Sequence, residues 1–166
     1  IKIDDAGTRT IYMYFGNPNA CPKSYAEPIF LLFEDWETGS IIGWEQGGTA
    51  SYYRVCFPQW EITSDEKWHG KYSLKSKYME NRYGTYIRKK IYLPSPAIIE
   101  FYWKSNGIKL KFDIDDGTVV SDKYVNWKLR RYGISSGHHT IRFHFWNEEP
   151  SKCYTGWLDL IKIYKY

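Results

Sequence analysis

Two runs near the C-terminus constrain the fold of this chain more than any others. In 137–146, Ile141, Phe143 and Phe145 share one parity, while Arg142, His144 and Trp146 share the other. Such alternation marks a strand with one face in a core and the other toward solvent. In 156–164, Trp157, Asp159, Ile161 and Ile163 share a parity. A carboxylate pointing with three large hydrophobes is costly unless it is hydrogen-bonded, ion-paired or metal-bound. Asp159 is therefore expected to point inward and to have a partner.

The rest of the chain repeats the pattern in shorter pieces. Residues 10–15, 30–37, 52–57, 59–62, 70–76, 85–93, 97–104, 108–114 and 126–129 read as strand-like runs. They are broken by turn signals: Gly39 to Trp44, Gly47-Gly48, Pro58, Pro94-Ser95-Pro96 and Asp115-Asp116-Gly117. No stretch keeps apolar residues at helical spacing for three turns. The 16 Tyr and 8 Trp also favour sheet over helix. The expectation is an all-β chain with little or no helix, folded as a sandwich or barrel. At 166 residues one core suffices. Residues 30–166 are assigned to the sandwich, and 1–29 to an N-terminal strand and linker from a preceding module, free to pack on it.

Charge and cysteines narrow the chemistry. A net charge of +4 spread over short clusters, Arg88-Lys89-Lys90 and Lys128-Leu129-Arg130-Arg131, is too diffuse for a nucleic-acid binder. No apolar run is long enough to insert in a membrane. Cys21, Cys56 and Cys153 lack metal-site spacing. Cys21 and Cys153, both in loop-like sequence, are the better disulfide candidates, and Cys56 reads as a small buried hydrophobe. The chain begins at Ile1, which reads as a fragment or a processed chain. His138, His139 and His144 read as structural, with His139 placed to bond a turn backbone. Asp113-Ile114-Asp115-Asp116 reads as a hairpin rather than as the paired acids of a glycosidase. With no nucleophile elbow or phosphate loop either, no enzyme is expected.

Two resemblances add context. Ile11-Tyr12-Met13-Tyr14-Phe15-Gly16-Asn17-Pro18-Asn19-Ala20 resembles the closing strand of a prokaryotic surface-protein module, domain-of-unknown-function family 2341. From residue 30 onward, the series F-E-D-W-E, G-K-Y-S-L, I-x-F-Y-W-K, L-x-F-x-I-D, S-G-x-H-T-I-R-F and W-L-D-L-I-x-I resembles the lectin-like jelly-roll modules of secreted prokaryotic proteins and carbohydrate-binding modules. That resemblance implies a two-sheet antiparallel β-sandwich of the jelly-roll, concanavalin- or galactose-binding-like kind, an extracellular or cell-surface location and one structural calcium ion, held by Glu34 or Asp35 near the first strand and by Asp159 in the last. The family often places two adjacent acids in the last strand, whereas Leu160 follows Asp159 here. Without an ion, Asp159 would need backbone, Tyr or Trp donors, or a nearby Arg or Lys.

The aromatic excess points to surface rings. Flat exposed rings stack on sugars and also anchor protein interfaces. By parity Tyr102 and Lys104 face away from Phe101 and Trp103, and Trp146 lies with Arg142 and His144. The expected function is a non-catalytic module of a secreted or surface protein that binds a polysaccharide or glycan through Trp146, Arg142, His144 and Tyr102. The alternative is a structural or adhesive domain that contacts neighbouring domains of a surface protein or filament.

Overall fold

A computed structural model describes residues 30–49, 60–76, 84–123, 126–146 and 154–165. The three cysteines, the stretch resembling the surface module and the 52–57 run lie outside them. Eleven strands form among the described residues: β1 (Leu32–Glu34), β2 (Glu45–Thr49), β3 (Trp60–Thr63), β4 (Ser73–Ser76), β5 (Gly84–Leu93), β6 (Ala97–Ser105), β7 (Lys109–Ile114), β8 (Gly117–Lys123), β9 (Lys128–Ile134), β10 (Gly137–Trp146) and β11 (Gly156–Lys165). No helix occurs among these residues. One sheet runs β3-β4-β11-β6-β9, with β1 also paired to β11, and the other runs β2-β5-β10-β7-β8. Every pairing is antiparallel. The jelly-roll sandwich read from the sequence is thus the observed fold.

The core lies between the sheets and is dominated by rings. Phe101 from β6 packs against Phe112 and Phe143 of the opposite sheet, each at 4.8 Å between ring centroids. Trp60 meets Phe145 at 4.6 Å, and Trp36 and Trp44 continue the cluster toward Phe143. Ile87, Ile99, Leu110, Ile141, Leu158, Ile161 and Ile163 are fully buried around them. Each such side chain contributes roughly 1.5–3 kcal/mol through burial.

The parity expected in the last strand fails at one residue. Asp159 pairs with Tyr102 but Lys162 pairs with Glu100, so β11 spends one more residue than β6 over this interval. The extra residue forms a β-bulge, with Leu160 at φ 49°. Trp157 and Asp159 consequently share the outer face with Tyr102, while Ile161 and Ile163 turn inward beside Leu158. Asp159 does not point into the sandwich.

Several local readings also change. Gly47-Gly48, read as a turn, lies within β2, and β8 and most of β9 occupy stretches given no strand from the sequence. The Asp115-Asp116 turn holds: both residues have positive φ, 51° and 66°, and Ile114 pairs with Gly117 across a two-residue connection.

His139 ties two hairpins together. Its Nδ1 lies 2.6 Å from Asp115 Oδ2 and its Nε2 lies 3.0 Å from the Ser135 carbonyl oxygen. The hydrogen bond to Asp115 raises its pKa above the ordinary 6.5, because only the imidazolium can donate from both nitrogens. A raised folded pKa gives stability that is full below about 6.5 and is lost as pH rises through the folded value. His139→Gln is expected to flatten the pH dependence of the melting temperature between about pH 6 and 8. An unaltered profile would contradict this role.

Candidate functional site

The outer face of the β2-β5-β10-β7-β8 sheet gathers three of the four side chains expected to bind ligand. Arg142, His144 and Trp146 project from β10. His144 stands opposite Tyr86 of β5 and Lys111 of β7, and Arg142 opposite Arg88 and Asp113. The rings meet edge to face: Tyr86 to His144 at 6.5 Å and 87°, His144 to Trp146 at 5.9 Å and 81°.

Two glycines let these rings lie against the sheet. A Cβ on Gly47 would overlap the Tyr86 ring, and one on Gly84 would overlap His144 Nε2 and the Trp146 ring. Each glycine stands directly across a strand pair from the ring it accommodates, Gly47 from Tyr86 and Gly84 from Trp146. Glycine within a strand commonly marks such a close approach.

Charged groups fix the platform's flanks. Asp113 is fully buried; its Oδ2 accepts Arg142 Nη2 at 2.7 Å and Nε at 3.0 Å, and Lys111 Nζ lies 3.2 Å from Oδ1. Arg142 also reaches Asp116 at 3.0 Å, while Arg88 donates to Glu45 at 2.8 Å. The Arg88 and Arg142 guanidiniums lie 5.6 and 5.9 Å from the Tyr86 ring centroid. Burial drops the His144 pKa to about 4, so its imidazole is neutral at pH 7.

Tyr102 is not part of this face. It lies on the outer face of the other sheet, stacked on Trp68 at 4.3 Å and 15°. Trp68 belongs to the β3–β4 loop and is half exposed. Asp159 anchors that loop: its Oδ2 accepts the backbone N–H of Trp68 at 2.8 Å and of His69 at 2.9 Å. Glu37 Oε1 accepts the N–H groups of Lys71 and Tyr72 at 2.7 and 2.9 Å, which lower its pKa.

The acids assigned to calcium meet N–H donors. Glu34 Oε1 accepts the Trp36 N–H at 3.3 Å and Oε2 the Trp44 indole N–H at 3.1 Å. Asp35 Oδ1 accepts the Glu37 N–H at 3.2 Å. Among the described residues, no group of three or more His, Cys, Asp or Glu converges as a metal site. Calcium takes six to eight oxygens, and this donor set does not fit it. β1 does lie beside β11, with Glu34 opposite Ile161, but the contact is a backbone ladder.

Of the platform, the sequence reading lacked Tyr86 and the two glycines. The available signal was Tyr86 sharing parity with Arg88, and glycine recurring inside otherwise strand-like sequence.

This sandwich shares its fold with solved carbohydrate-binding modules. No protein-family model matches the chain, and no curated protein matches it. Among solved structures it is similar to TmCBM61, a structure in complex with β-1,4-galactotriose, at 14% identity and a TM-score of 0.60, covering 80% of this chain and 94% of that one. It is also similar to the CBM22-1 xylan-binding domain of Paenibacillus barcinonensis Xyn10C, at 18% identity and a TM-score of 0.56, covering 82% and 96%. A third similarity is to the K3 cleaved adhesin domain of Lys-gingipain from Porphyromonas gingivalis, at 12% identity and a TM-score of 0.65, covering 82% and 98%. At these identities the likeness is one of fold.

Proposed function

We propose that this chain is a non-catalytic carbohydrate-binding module of a secreted or cell-surface protein, and that polysaccharide binds across the β2-β5-β10-β7-β8 face. The observation that carries this reading is the Tyr86-His144-Trp146 row, laid against the sheet over Gly47 and Gly84 and flanked by Arg88 and Arg142. Such rings offer apolar faces to pyranose C–H groups, and the neighbouring polar side chains supply orientation. The solved structures bound to galactotriose or named for xylan binding share the fold. On this face Asp113 and Glu45 are each ion-paired with arginine, which supports binding over acid–base catalysis.

Affinity electrophoresis against a panel of soluble polysaccharides tests the reading. Wild type is expected to be retarded by at least one of them, and Tyr86→Ala and Trp146→Ala each to weaken that interaction about tenfold, as loss of one stacked ring implies. Concentration-dependent self-association with no retardation by any polysaccharide would instead favour the adhesive role, which the likeness to an adhesin domain and the exposed Phe33, Ile42 and Tyr92 support.

Calcium is testable in the same preparation. The melting temperature is expected to be equal in EDTA and in millimolar calcium. A rise of several degrees with calcium would restore the ion to Glu34, Asp35 and Asp159.

A further inference from the structure

The proposed binding face carries an excess of cations among the described residues. Arg88 and Lys90 of β5, Lys109 and Lys111 of β7, Lys123 of β8 and Arg142 of β10 all belong to it by register. The carboxylates beside them among the described residues are Glu45, Asp113 and, at the adjoining turn, Asp115 and Asp116. Among the described residues, cations therefore outnumber carboxylates on this face by six to four. On the opposite outer face Lys75 pairs with Asp65, Lys104 with Glu66, and Arg131 with Glu100.

The hydrogen-bonding character of the face follows from the same arrangement. Lysine and arginine only donate. Asp113 is buried beneath Arg142 and Lys111, and Glu45 is occupied by Arg88, so these two carboxylates are already engaged. Neutral sugars present hydroxyls that both donate and accept, and sites for them ordinarily mix donors with acceptors. A row of rings bordered by donors is complementary instead to a ligand whose polar groups only accept. Anions meet that condition, and the positive potential also raises their encounter rate.

Resting on the carbohydrate-binding reading above, we infer that the ligand of this face is an anionic polysaccharide, with its pyranose rings stacked on Tyr86 and Trp146 and its carboxylate or sulfate groups set against Arg88, Lys90, Lys111 and Arg142.

The test uses two matched pairs, polygalacturonate with its methyl ester and dextran sulfate with dextran, titrated by calorimetry. The charged member of one pair is expected to bind about tenfold or more tightly than its neutral partner. Its affinity should fall by about tenfold between 50 and 300 mM NaCl, because exposed charges more than a Debye length apart are screened. Lys90→Gln, which breaks no ion pair of the face, should cost about two- to fivefold at low salt. Binding by carboxylate and not sulfate, or the reverse, assigns the group. Equal or tighter binding of the neutral members would overturn the anionic ligand while leaving the glycan face standing. Polyanion binding that is undiminished in Trp146→Ala would be simple ion exchange and would overturn it too. Binding of none of the four, while another neutral polysaccharide is retarded, would do the same, and retardation by nothing at all would remove both readings.

Discussion

Asp159→Ala is expected to lower the unfolding free energy by about 2–3 kcal/mol, the cost of leaving charge-assisted hydrogen bonds unmade at a buried site. Asp159 is fully buried yet lies outside the core, under the β3–β4 loop whose Trp68 and His69 N–H groups it accepts. Burial raises its pKa, and the N–H groups of His69, Trp68 and Leu160 oppose that shift. The carboxylate is thus retained against a desolvation cost because it orders the loop. Asp159→Asn keeps an acceptor for both N–H groups and removes the charge, so its loss should stay within about 1 kcal/mol. Chemical denaturation of the two variants separates these roles. Equal large losses would mean that the charge itself is what matters, and no loss in either would remove the anchoring role. The Trp68-Tyr102 stack supplies a second readout: Trp68 fluorescence should change in Asp159→Ala and hold in Asp159→Asn.

Gly84→Val is expected to weaken polysaccharide binding about a hundredfold while leaving the sandwich folded. Gly84 has no positive φ, so a side chain there is excluded by the rings above it and not by the backbone. A branched residue must displace Trp146 and His144, at about 1–3 kcal/mol for overpacking. Removing two rings from a stacking surface should weaken binding by about a hundredfold, taking roughly 1.4 kcal/mol per ring. Wild-type affinity in Gly84→Val would show that the row is not the binding surface.

How much of this was legible in the sequence differs by element. β10 was read correctly because its alternation is uninterrupted: Ile141, Phe143 and Phe145 are fully buried, and Arg142, His144 and Trp146 face out. β11 was not, since a bulge at Leu160 inverts parity midway and a leucine at φ 49° carries no compositional signal of it. The same inversion explains why Asp159 looked inward. Gly47-Gly48 looked like a turn because glycine pairs usually are turns; here the missing side chain of Gly47 makes room for the Tyr86 ring, a tertiary cause that no local pattern encodes. β8 and β9 beyond Leu129 escaped notice as strands at the margins of their sheets, where exposed and charged residues mask the alternation. Tyr102 was correctly turned away from Phe101, but which of two outer faces it joined depended on sheet order, and β6 and β10 lie in different sheets.

The most direct test of the account is an NMR titration of isotopically labelled protein with a polysaccharide that retards it. The account predicts shifts of the Trp146 indole N–H and of the amides of β5 and β10 around Tyr86 and Arg142, with the Trp68 indole unmoved. Shifts centred on Trp68, Tyr102 and the β3–β4 loop, with Trp146 silent, would place binding on the opposite face and contradict it.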